Sequence, residues 1–376
     1  MRHKKGKGTG SVALSTLLSI LLAFVLGGLV LWIAGHDPLT VYRVMVEGVF
    51  SKPKYIAWTL LKAQPIVITG LSVAFAYRTG LFNIGAEGQY IVGLTVAAMA
   101  GYFIQLPPVL HPIVVILIAS GAAALFGMLA GLLKARFGIN EVITGIMLNW
   151  VAFYAHNVIV ASSFFGEKIN ISYSTQSTAN IVILEAWKKT DAGKEYLANH
   201  PFWKDVLSTP INWGLIIALL LVVLVWFVLN RTRLGYELRA VGSGPDAAKH
   251  SGISIPARTM TAMAIAGAIA GCAGAVQLLG ITTPHRLSNL GAMEGYGFDG
   301  LAVALMGNST ALGSLLSGIF FAILKYGGSK VNAAPANAPP EVVSIMIGVI
   351  MLCVSAPRIF VLVRQRLTRS REEAKE

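Results

Sequence analysis

Three polar interruptions of otherwise apolar sequence contain the side chains best suited to chemistry. The first, Arg78–Gly93, reads RTGLFNIGAEGQYIVG and places Asn83, Glu87 and Gln89 among apolar residues. Amide and carboxylate groups bind small solutes through hydrogen bonds, and ionisable residues within apolar segments are costly enough to indicate a function. The same residues also fit a structural interpretation, in which Asn83 and Glu87 tie neighbouring helices together.

The second interruption, Leu290–Gly300, reads LGAMEGYGFDG and contains Glu294, Phe298 and Asp299. It precedes an unusually short apolar piece, Leu301–Met306. Interrupted helices in the two halves of a membrane chain often mark a transport path. We therefore predict that Glu294 and Phe298, together with the polar residues of the first interruption, line a substrate pathway. The alternative is a half-helix that only packs.

The third interruption, Asn140–Asn157, reads NEVITGIMLNWVAFYAHN. At helical spacing, Asn149, Phe153 and either His156 or Asn157 share one face. Amide side chains beside aromatic planes suit a nucleobase, which stacks and forms hydrogen bonds. Asn149 and Phe153 therefore join the predicted pathway residues, against the alternative of an amide contact between helices with ordinary aromatic packing.

Motifs of catalysis and metal binding are absent from the sequence. There is no GxxxxGK[ST] phosphate-binding loop, no HExxH, no GxSxG and no Cys/His cluster. Cys272 and Cys353 lie within apolar runs and are predicted to be buried packing residues. We expect no catalytic residue, no metal ligand and no cofactor on this chain.

Composition places the chain in a membrane. Of its 376 residues, 55% are hydrophobic and only 12% are charged, about half the charged fraction of a soluble domain. The net charge of +13 is gathered in a few loops and both tails, the pattern that holds loops in the cytoplasm, and no nucleic-acid motif accompanies it. We predict an all-α integral membrane protein with about ten transmembrane helices, cytoplasmic N- and C-termini and one or two broken or half helices.

The predicted organisation follows from hydropathy and loop charge. Residues 1–11 form a basic cytoplasmic N-terminus, 12–363 a transmembrane domain and 364–376 a basic cytoplasmic tail. The domain includes an extracytoplasmic loop, residues 166–210, with a short helix around Glu185–Leu197, and a cytoplasmic loop, residues 230–258. The predicted spans are Val12–Ala34, Thr59–Tyr77, Phe82–Ile104, Ile113–Leu133, Val142–Phe164, Asn212–Leu229, Met260–Ile281, the half-span Gly297–Met306, Leu312–Tyr326 and Val342–Val363.

The cytoplasmic loop Asn230–Arg258 reads NRTRLGYELRAVGSGPDAAKHSGISIPAR. Its piece Pro245–His250 is predicted to be a short helix, because proline is tolerated in a first turn and Ser243 or Asp246 can cap it. We expect the helix to end near Gly252.

Two small neighbouring residues of that helix, Ala247 and Ala248, suit insertion into a groove of a partner protein. The alternative is a solvated loop whose arginines only set the orientation of the chain.

The loop sequence LRAVGSGPDAAKHSGI resembles the coupling-helix loop of permease subunits of ATP-binding-cassette (ABC) importers, in the branch for simple sugars, nucleosides and branched-chain amino acids. Supporting motifs are RTGLFNIGAEGQ at Arg78–Gln89, NEVITGIMLNWVA at Asn140–Ala152, GAIAGCAGA at Gly267–Ala275 and GFDGLAVALMG at Gly297–Gly307. The resemblance runs from Arg78 to the C-terminus, and the second motif is most similar to nucleoside permeases. One departure is Ala311, where the family usually has proline.

The resemblance implies an ATP-driven importer for nucleosides in the cell membrane, working by alternating access. This chain would pair with a second, related permease, often a distinct subunit. Two ATPase chains, which bind ATP and Mg²⁺, would dock on the coupling residues Gly242, Pro245, Asp246, Ala247, Ala248, Gly252 and Ile253. An extracytoplasmic binding protein would deliver the solute, and loop 166–210 is a candidate surface for it. The alternatives are a permease for simple sugars or another small solute and, in a different class, an ion-coupled carrier.

Overall fold

The computed structural model describes residues 9–282, 284–333 and 335–355, and these are mainly helical. The helices are α1 (Thr9–Ile33), α2 (Pro38–Phe50), α3 (Pro53–Tyr77), α4 (Ala86–Phe103), α5 (Leu110–Phe137), α6 (Glu141–Ala161), α7 (Glu185–Lys189), α8 (Asp191–Asn199), α9 (Pro201–Leu207), α10 (Gly214–Arg231), α11 (Arg233–Ser243), α12 (Pro245–His250), α13 (Ile255–Gly280), α14 (Tyr296–Met306), α15 (Ala311–Gly328) and α16 (Pro340–Ser355). A two-stranded antiparallel hairpin, β1 (Gly166–Lys168) and β2 (Ile171–Ser172), follows α6.

The described residues form two compact units, one within residues 52–322 and the other made of residues from 9–51 and 323–355. In the larger unit, α13 is the central helix and packs against α5, α4 and α3, while α14 lies along α3. In the smaller unit, α1 packs against α16 and α2. The polar interruptions identified in the sequence all belong to the larger unit.

Small residues allow the central helices to approach closely. A Cβ atom added to Gly93 of α4 would lie 2.2 Å from the carbonyl oxygen of Gly271 in α13. One added to Gly267 would lie 2.4 Å from the carbonyl oxygen of Ala123 in α5. In lipid there is no hydrophobic driving force between helices. Membrane helices therefore associate through close van der Waals packing of this kind. The glycines of the GAIAGCAGA motif therefore build the core of the larger unit.

The predicted number of about ten spans is wrong. Within the described residues, six helices are long and apolar enough to cross a bilayer, or seven if the pair α1 (from Ile20) and α2, bent by 117°, counts as one span. The six are α3, α5, α6, α10, α13 and α15.

The missing spans have physical explanations. The predicted span Phe82–Ile104 contains α4, whose first turn carries buried Glu87 and Gln89, so it is too polar to qualify. The predicted half-span is present as α14, which has only 11 residues. Helix α16 has 16 described residues, and the rest of the predicted span Val342–Val363 lies outside the described residues. The predicted tail, residues 364–376, and residues 1–8 also lie outside them.

Loop 166–210 is an ordered structure in its own right. The predicted helix around Glu185–Leu197 is two helices, α7 and α8, because Thr190 caps α8 by accepting a hydrogen bond from the N–H of Gly193. Strand β2 forms a bridge to Ser288, in the segment that leads into α14. The loop is thereby fastened to the segment that leads into the second polar interruption.

We predict that Gly93→Ala destabilises the protein. The added methyl group would meet the backbone of Gly271, so α4 and α13 must separate, and overpacking of this kind costs about 1–3 kcal/mol. Thermal unfolding of the purified protein in detergent measures the change. Gly121→Ala on α5 is the matched control, since its new Cβ meets no atom within 4 Å; equal unfolding temperatures for the two variants would contradict the packing account.

Candidate functional site

The first two polar interruptions meet through the side chain of Glu87. This residue lies in the first turn of α4, directly after the non-helical residues 78–85. Its Oε1 accepts a hydrogen bond from the N–H of Gly295 at 2.8 Å, and its Oε2 accepts one from Gly297 at 2.6 Å. The first N–H groups of a helix have no partner within it, and a carboxylate is favoured there by the helix dipole. Glu87 therefore caps α14 from a position 208 residues away in the sequence.

Helix α14 can reach Glu87 only because it is rich in small residues. A Cβ added to Gly297 would lie 2.2 Å from the backbone nitrogen of Glu87. One added to Gly300 would lie 2.7 Å from the backbone of Thr69 in α3. The glycines of the sequence GFDG thus place the N-terminus of α14 between α3 and α4.

The N-terminus of α14 lies deep within the helix bundle. The Thr69 hydroxyl donates a hydrogen bond to the carbonyl oxygen of Tyr296 at 2.8 Å. At 1.5 Å per residue, Thr69 is about 12 Å from the Tyr77 end of α3 and about 24 Å from the Pro53 end. Since α3 is long and apolar enough to cross a bilayer, the start of α14 lies at membrane depth.

Glu294 precedes this N-terminus and has a different environment from Glu87. Its Oε2 accepts a hydrogen bond from the hydroxyl of Tyr90 at 2.5 Å, and the rings of Tyr90 and Tyr296 are 5.4 Å apart. Tyr90 is fully buried, whereas Glu294 is exposed. Phe298, in the first turn of α14, is 41% exposed. The buried tyrosine therefore holds an exposed carboxylate four residues before an exposed aromatic residue.

The non-helical segment between α13 and α14 is held along α6 by two side chains. The Asn157 amide donates to the carbonyl oxygen of Leu290 at 3.1 Å and accepts from its N–H at 2.8 Å. The His156 Nε2 lies 3.2 Å from the carbonyl oxygen of Ser288, and its Nδ1 lies 2.7 Å from the Thr95 hydroxyl. The two side chains thereby give hydrogen-bond partners to backbone N–H and carbonyl groups that have no helical partner in this segment.

This segment cannot face lipid. Glu294 and the neighbouring residues Gly291 and Ala292 are exposed, and irregular backbone at membrane depth is tolerated only where protein or a water-filled cavity covers it. A carboxylate in hydrocarbon is equally costly. The exposed side of residues 291–298 therefore faces an aqueous path or a partner subunit.

Most of the predicted amide residues are engaged within the chain. Asn83 and Gln89 exchange two side-chain hydrogen bonds, at 2.8 and 3.1 Å, and both are buried. Asn149 accepts from the N–H of Gly88 at 2.7 Å and donates to the carbonyl oxygen of Ile84 at 3.0 Å. This is the arrangement that the structural interpretation of these residues requires, and their role in a pathway stays a prediction.

The aromatic residues of α6 divide between its two sides. Phe153 is buried and shares a face with Asn149 and His156, as the helical spacing predicts. Trp150 and Tyr154 are exposed and stack with ring centroids 5.9 Å apart. The Phe153 ring lies edge-on to both of them, at 5.7 and 5.2 Å between centroids, but its own side chain is buried, unlike that of Phe298.

Sequence reasoning missed Tyr90, Thr69 and Asn157 as residues that build this site. Each uses a side-chain group to contact a segment more than 130 residues distant. The only available signal for Asn157 was its amide at helical spacing from Asn149.

The coupling residues form a compact projection made of α11 and α12. The predicted helix Pro245–His250 is confirmed, and the chain turns after it at Gly252, where φ is +77°. The predicted cap is wrong: Gly244 occupies the N-cap position and no side chain caps the helix, because Ser243 is the last residue of α11.

Exposure separates the two alanines of that helix. Pro245, Asp246 and Ala247 are exposed, whereas Ala248 is 3% exposed and packs within the chain. Of the pair, only Ala247 is exposed at the surface.

Ion pairs fasten the projection to the spans. Glu237 of α11 is buried and pairs with Arg258 of α13, with 2.6 Å between Oε2 and Nε. It also pairs with exposed Arg233 at 2.9 Å.

The projection also touches the first polar interruption. A Cβ added to Gly242 would lie 2.7 Å from the carbonyl oxygen of Arg78, and Gly80 has a φ of +76° in the same turn. The Arg78 Nε donates to the carbonyl oxygen of Ser309 at 2.8 Å, beyond the end of α14. The turn Arg78–Gly80 therefore contacts both the projection and the far end of α14, and leads directly to Glu87.

We predict that Glu87→Ala lowers the thermal stability strongly, because it leaves the N–H groups of Gly295 and Gly297 without partners, at about 1–3 kcal/mol for each. Glu87→Gln keeps one acceptor oxygen and should fall between the wild type and Glu87→Ala. Thermal unfolding in detergent is the measurement, and Glu195→Ala, on the exposed surface of α8, is the control. Unfolding of Glu87→Ala at the wild-type temperature would show that the cap is dispensable.

Comparison with known proteins identifies related chains. The model of a family described as branched-chain amino acid transport system permease component matches residues 55–355. The guanosine ABC transporter permease protein NupP of Bacillus subtilis is 36% identical over 90% of this chain and 92% of its own length. The nucleoside ABC transporter permease protein NupB of Lactococcus lactis is 30% identical over 90% and 89%. The glucose ABC transporter permease protein TsgB13 of Haloferax volcanii is 29% identical over 89% and 85%.

Proposed function

This chain belongs to the family of branched-chain amino acid transport system permease components, and we propose that it is the non-catalytic membrane subunit through which an ATP-driven importer passes nucleosides. It is a multi-pass protein of the cell membrane and a permease subunit of an ABC importer. The observation that carries the nucleoside assignment is its similarity to a guanosine permease and a nucleoside permease over nine-tenths of the chain.

The coupling residues Gly242, Pro245, Asp246, Ala247, Ala248, Gly252 and Ile253 would receive the ATPase chains, which hold ATP and Mg²⁺. The exposed end of α12 supports this assignment, since Pro245, Asp246 and Ala247 point away from the rest of the chain. A second, related permease would cover part of the exposed surface of this chain.

Loop 166–210 would receive a substrate-loaded binding protein on the opposite side of the membrane. The bridge between β2 and Ser288 supports this, because it connects the loop to the segment that ends at Glu294. Docking at the loop would then reach the pathway through this bridge and the neighbouring hydrogen bonds between the loop and residues 285–289.

Alternating access would follow from contacts that differ between two states, since a partner that binds both states equally shifts neither. Movement of α12 is passed to the turn Arg78–Gly80, which Gly242 contacts directly. That turn is joined to the end of α14 through Arg78 and to its beginning through Glu87. ATP-driven closure of the ATPase chains would thus shift α14 relative to α3. The pathway residues would be Asn83, Glu87, Gln89, Asn149, Phe153, Glu294 and Phe298.

A permease for simple sugars is the second candidate. The glucose permease of Haloferax volcanii matches a similar share of the chain at 29% identity, so the architecture alone does not select the solute. Competition between guanosine, uridine and ribose for uptake separates the two functions, and stronger competition by ribose would select the sugar permease.

We predict that vesicles holding this chain with its partner permease, ATPase chains and binding protein take up labelled guanosine when ATP is enclosed with the ATPase chains. Omitting the ATPase chains should abolish uptake, because this chain has no phosphate-binding loop of its own. Uptake by this chain alone under an ion gradient would establish a secondary carrier instead.

We predict that Ala247→Arg uncouples ATP hydrolysis from uptake. Its bulky cation would occupy an exposed position on α12, where it disturbs a partner without disturbing this chain. Uptake should fall at least about tenfold, which corresponds to 1.4 kcal/mol of lost coupling, while membrane insertion and thermal stability stay unchanged.

The matched control is Ala161→Arg, at the exposed opposite end of α6. Ala248→Arg is unsuitable as a test, because Ala248 is buried and the variant would disturb the fold of α12 itself. Normal uptake by Ala247→Arg would remove α12 from the coupling interface.

A further inference from the structure

We propose that Glu294 is the solute-binding carboxylate of the pathway, that it accepts hydrogen bonds from a pair of neighbouring donors on the nucleoside, and that Phe298 supplies the surface on which the base stacks. This inference rests on the proposed function and adds to it the residues that select the solute.

Glu87 and Glu294, two of the carboxylates near the start of α14, differ in the groups that they bind. Both oxygens of Glu87 accept hydrogen bonds from backbone amides, so its acceptor groups serve the fold. Among the described residues, the one hydrogen bond to the Glu294 carboxylate is donated to Oε2 by the Tyr90 hydroxyl. An ionised carboxylate offers about four lone-pair sites, so Glu294 retains acceptor capacity for a ligand.

No cation of the described residues neutralises Glu294. The ion pairs within residues 9–282, 284–333 and 335–355 involve other carboxylates, such as Glu237 and Glu141. A carboxylate at membrane depth needs water, a hydrogen-bonding ligand or a partner charge. Glu294 is exposed, and its hydrogen bond with fully buried Tyr90 holds the carboxylate in place.

The chemistry of a nucleoside fits this pair of side chains. The vicinal hydroxyls of ribose and the N1–H and N2–H groups of guanine each present two neighbouring donors, which a carboxylate accepts in a bidentate manner. Stacking of a base on an aromatic ring contributes about 1–3 kcal/mol and tolerates different bases. Phe298 lies four residues from Glu294 and is the large aromatic residue of α14 with an exposed ring.

Tyr90 acts as a positioning residue. Its hydroxyl fixes one oxygen of Glu294, and its ring packs against Tyr296, which Thr69 holds in place. Removing the hydroxyl would release the carboxylate without removing it.

The test uses the complete transporter in vesicles with the binding protein saturated, so that the binding protein's own affinity does not set the result. The maximal uptake rates of guanosine, 2′,3′-dideoxyguanosine and inosine are compared for the wild type and for Glu294→Gln. We expect Glu294→Gln to lower guanosine uptake at least about tenfold, because a hydrogen bond to a charged group is lost. It should also reduce the discrimination between guanosine and one of the two analogues.

The donor pair is identified by the analogue whose uptake rate, relative to that of guanosine, rises in Glu294→Gln. A rise for dideoxyguanosine would indicate the ribose hydroxyls, and a rise for inosine would indicate the base edge. Glu294→Asp should have partial activity, Phe298→Leu should lower the uptake of all three solutes, and Tyr90→Phe should reproduce part of the selectivity change with unaltered complex assembly. Glu341→Gln, an exposed carboxylate in the first turn of α16, is the control.

Two outcomes would overturn the inference. In the first, wild-type and Glu294→Gln transporters move the three solutes at the same relative and absolute rates. In the second, Glu294→Gln dissociates the two permeases on size-exclusion chromatography, which would assign the carboxylate to a subunit contact. If the wild-type transporter moves no nucleoside, the proposed function fails rather than this assignment of Glu294.

Discussion

The hydrogen bonds between Glu87 and the first amides of α14 are the interaction on which the rest of the larger unit depends. A helix that begins at membrane depth exposes N–H groups that water cannot reach, and each unsatisfied group is costly. The carboxylate supplies two acceptors at 2.8 and 2.6 Å, so a half-length helix is stable at a depth where a full span would otherwise be required. That arrangement leaves the preceding segment free to be non-helical, and the exposed carboxylate of Glu294 lies on this segment.

The segment that leads to Glu87 also joins α14 to the projection formed by α11 and α12. Gly242 lies against the turn Arg78–Gly80, and Arg78 reaches the far end of α14 through the carbonyl oxygen of Ser309. At Gly242 the two backbones pack directly against each other, so a displacement there cannot be absorbed by a flexible side chain, whereas Arg78 reaches Ser309 through its side chain. Glycine is required wherever these elements meet, which explains why the glycine-rich motifs of the sequence are found at the contacts between α3, α4, α13 and α14.

Part of this architecture was predictable from local sequence. The short helix Pro245–His250 follows from a proline in the first turn and a glycine after the last, both of which act on the backbone of their own segment. The half-length of α14 follows from its few apolar residues. The number of spans depended on where each helix begins and ends: α4 begins at Ala86 and has Glu87 and Gln89 in its first turn, and α1 and α2 are bent by 117° relative to each other.

The sequence by itself determined that the chain is an all-α membrane protein with a basic loop between apolar segments, three polar interruptions and no phosphate-binding loop. Hydropathy, charge and short motifs are properties of neighbouring residues, so they can be read from the sequence without knowing how the helices pack. Tertiary structure alone decided that Glu87 caps α14, that Tyr90 holds Glu294, and that Ala247 is exposed while Ala248 is buried. The physical reason is that a hydrogen bond between residues more than two hundred positions apart depends on how the helices pack, and no local pattern contains that information.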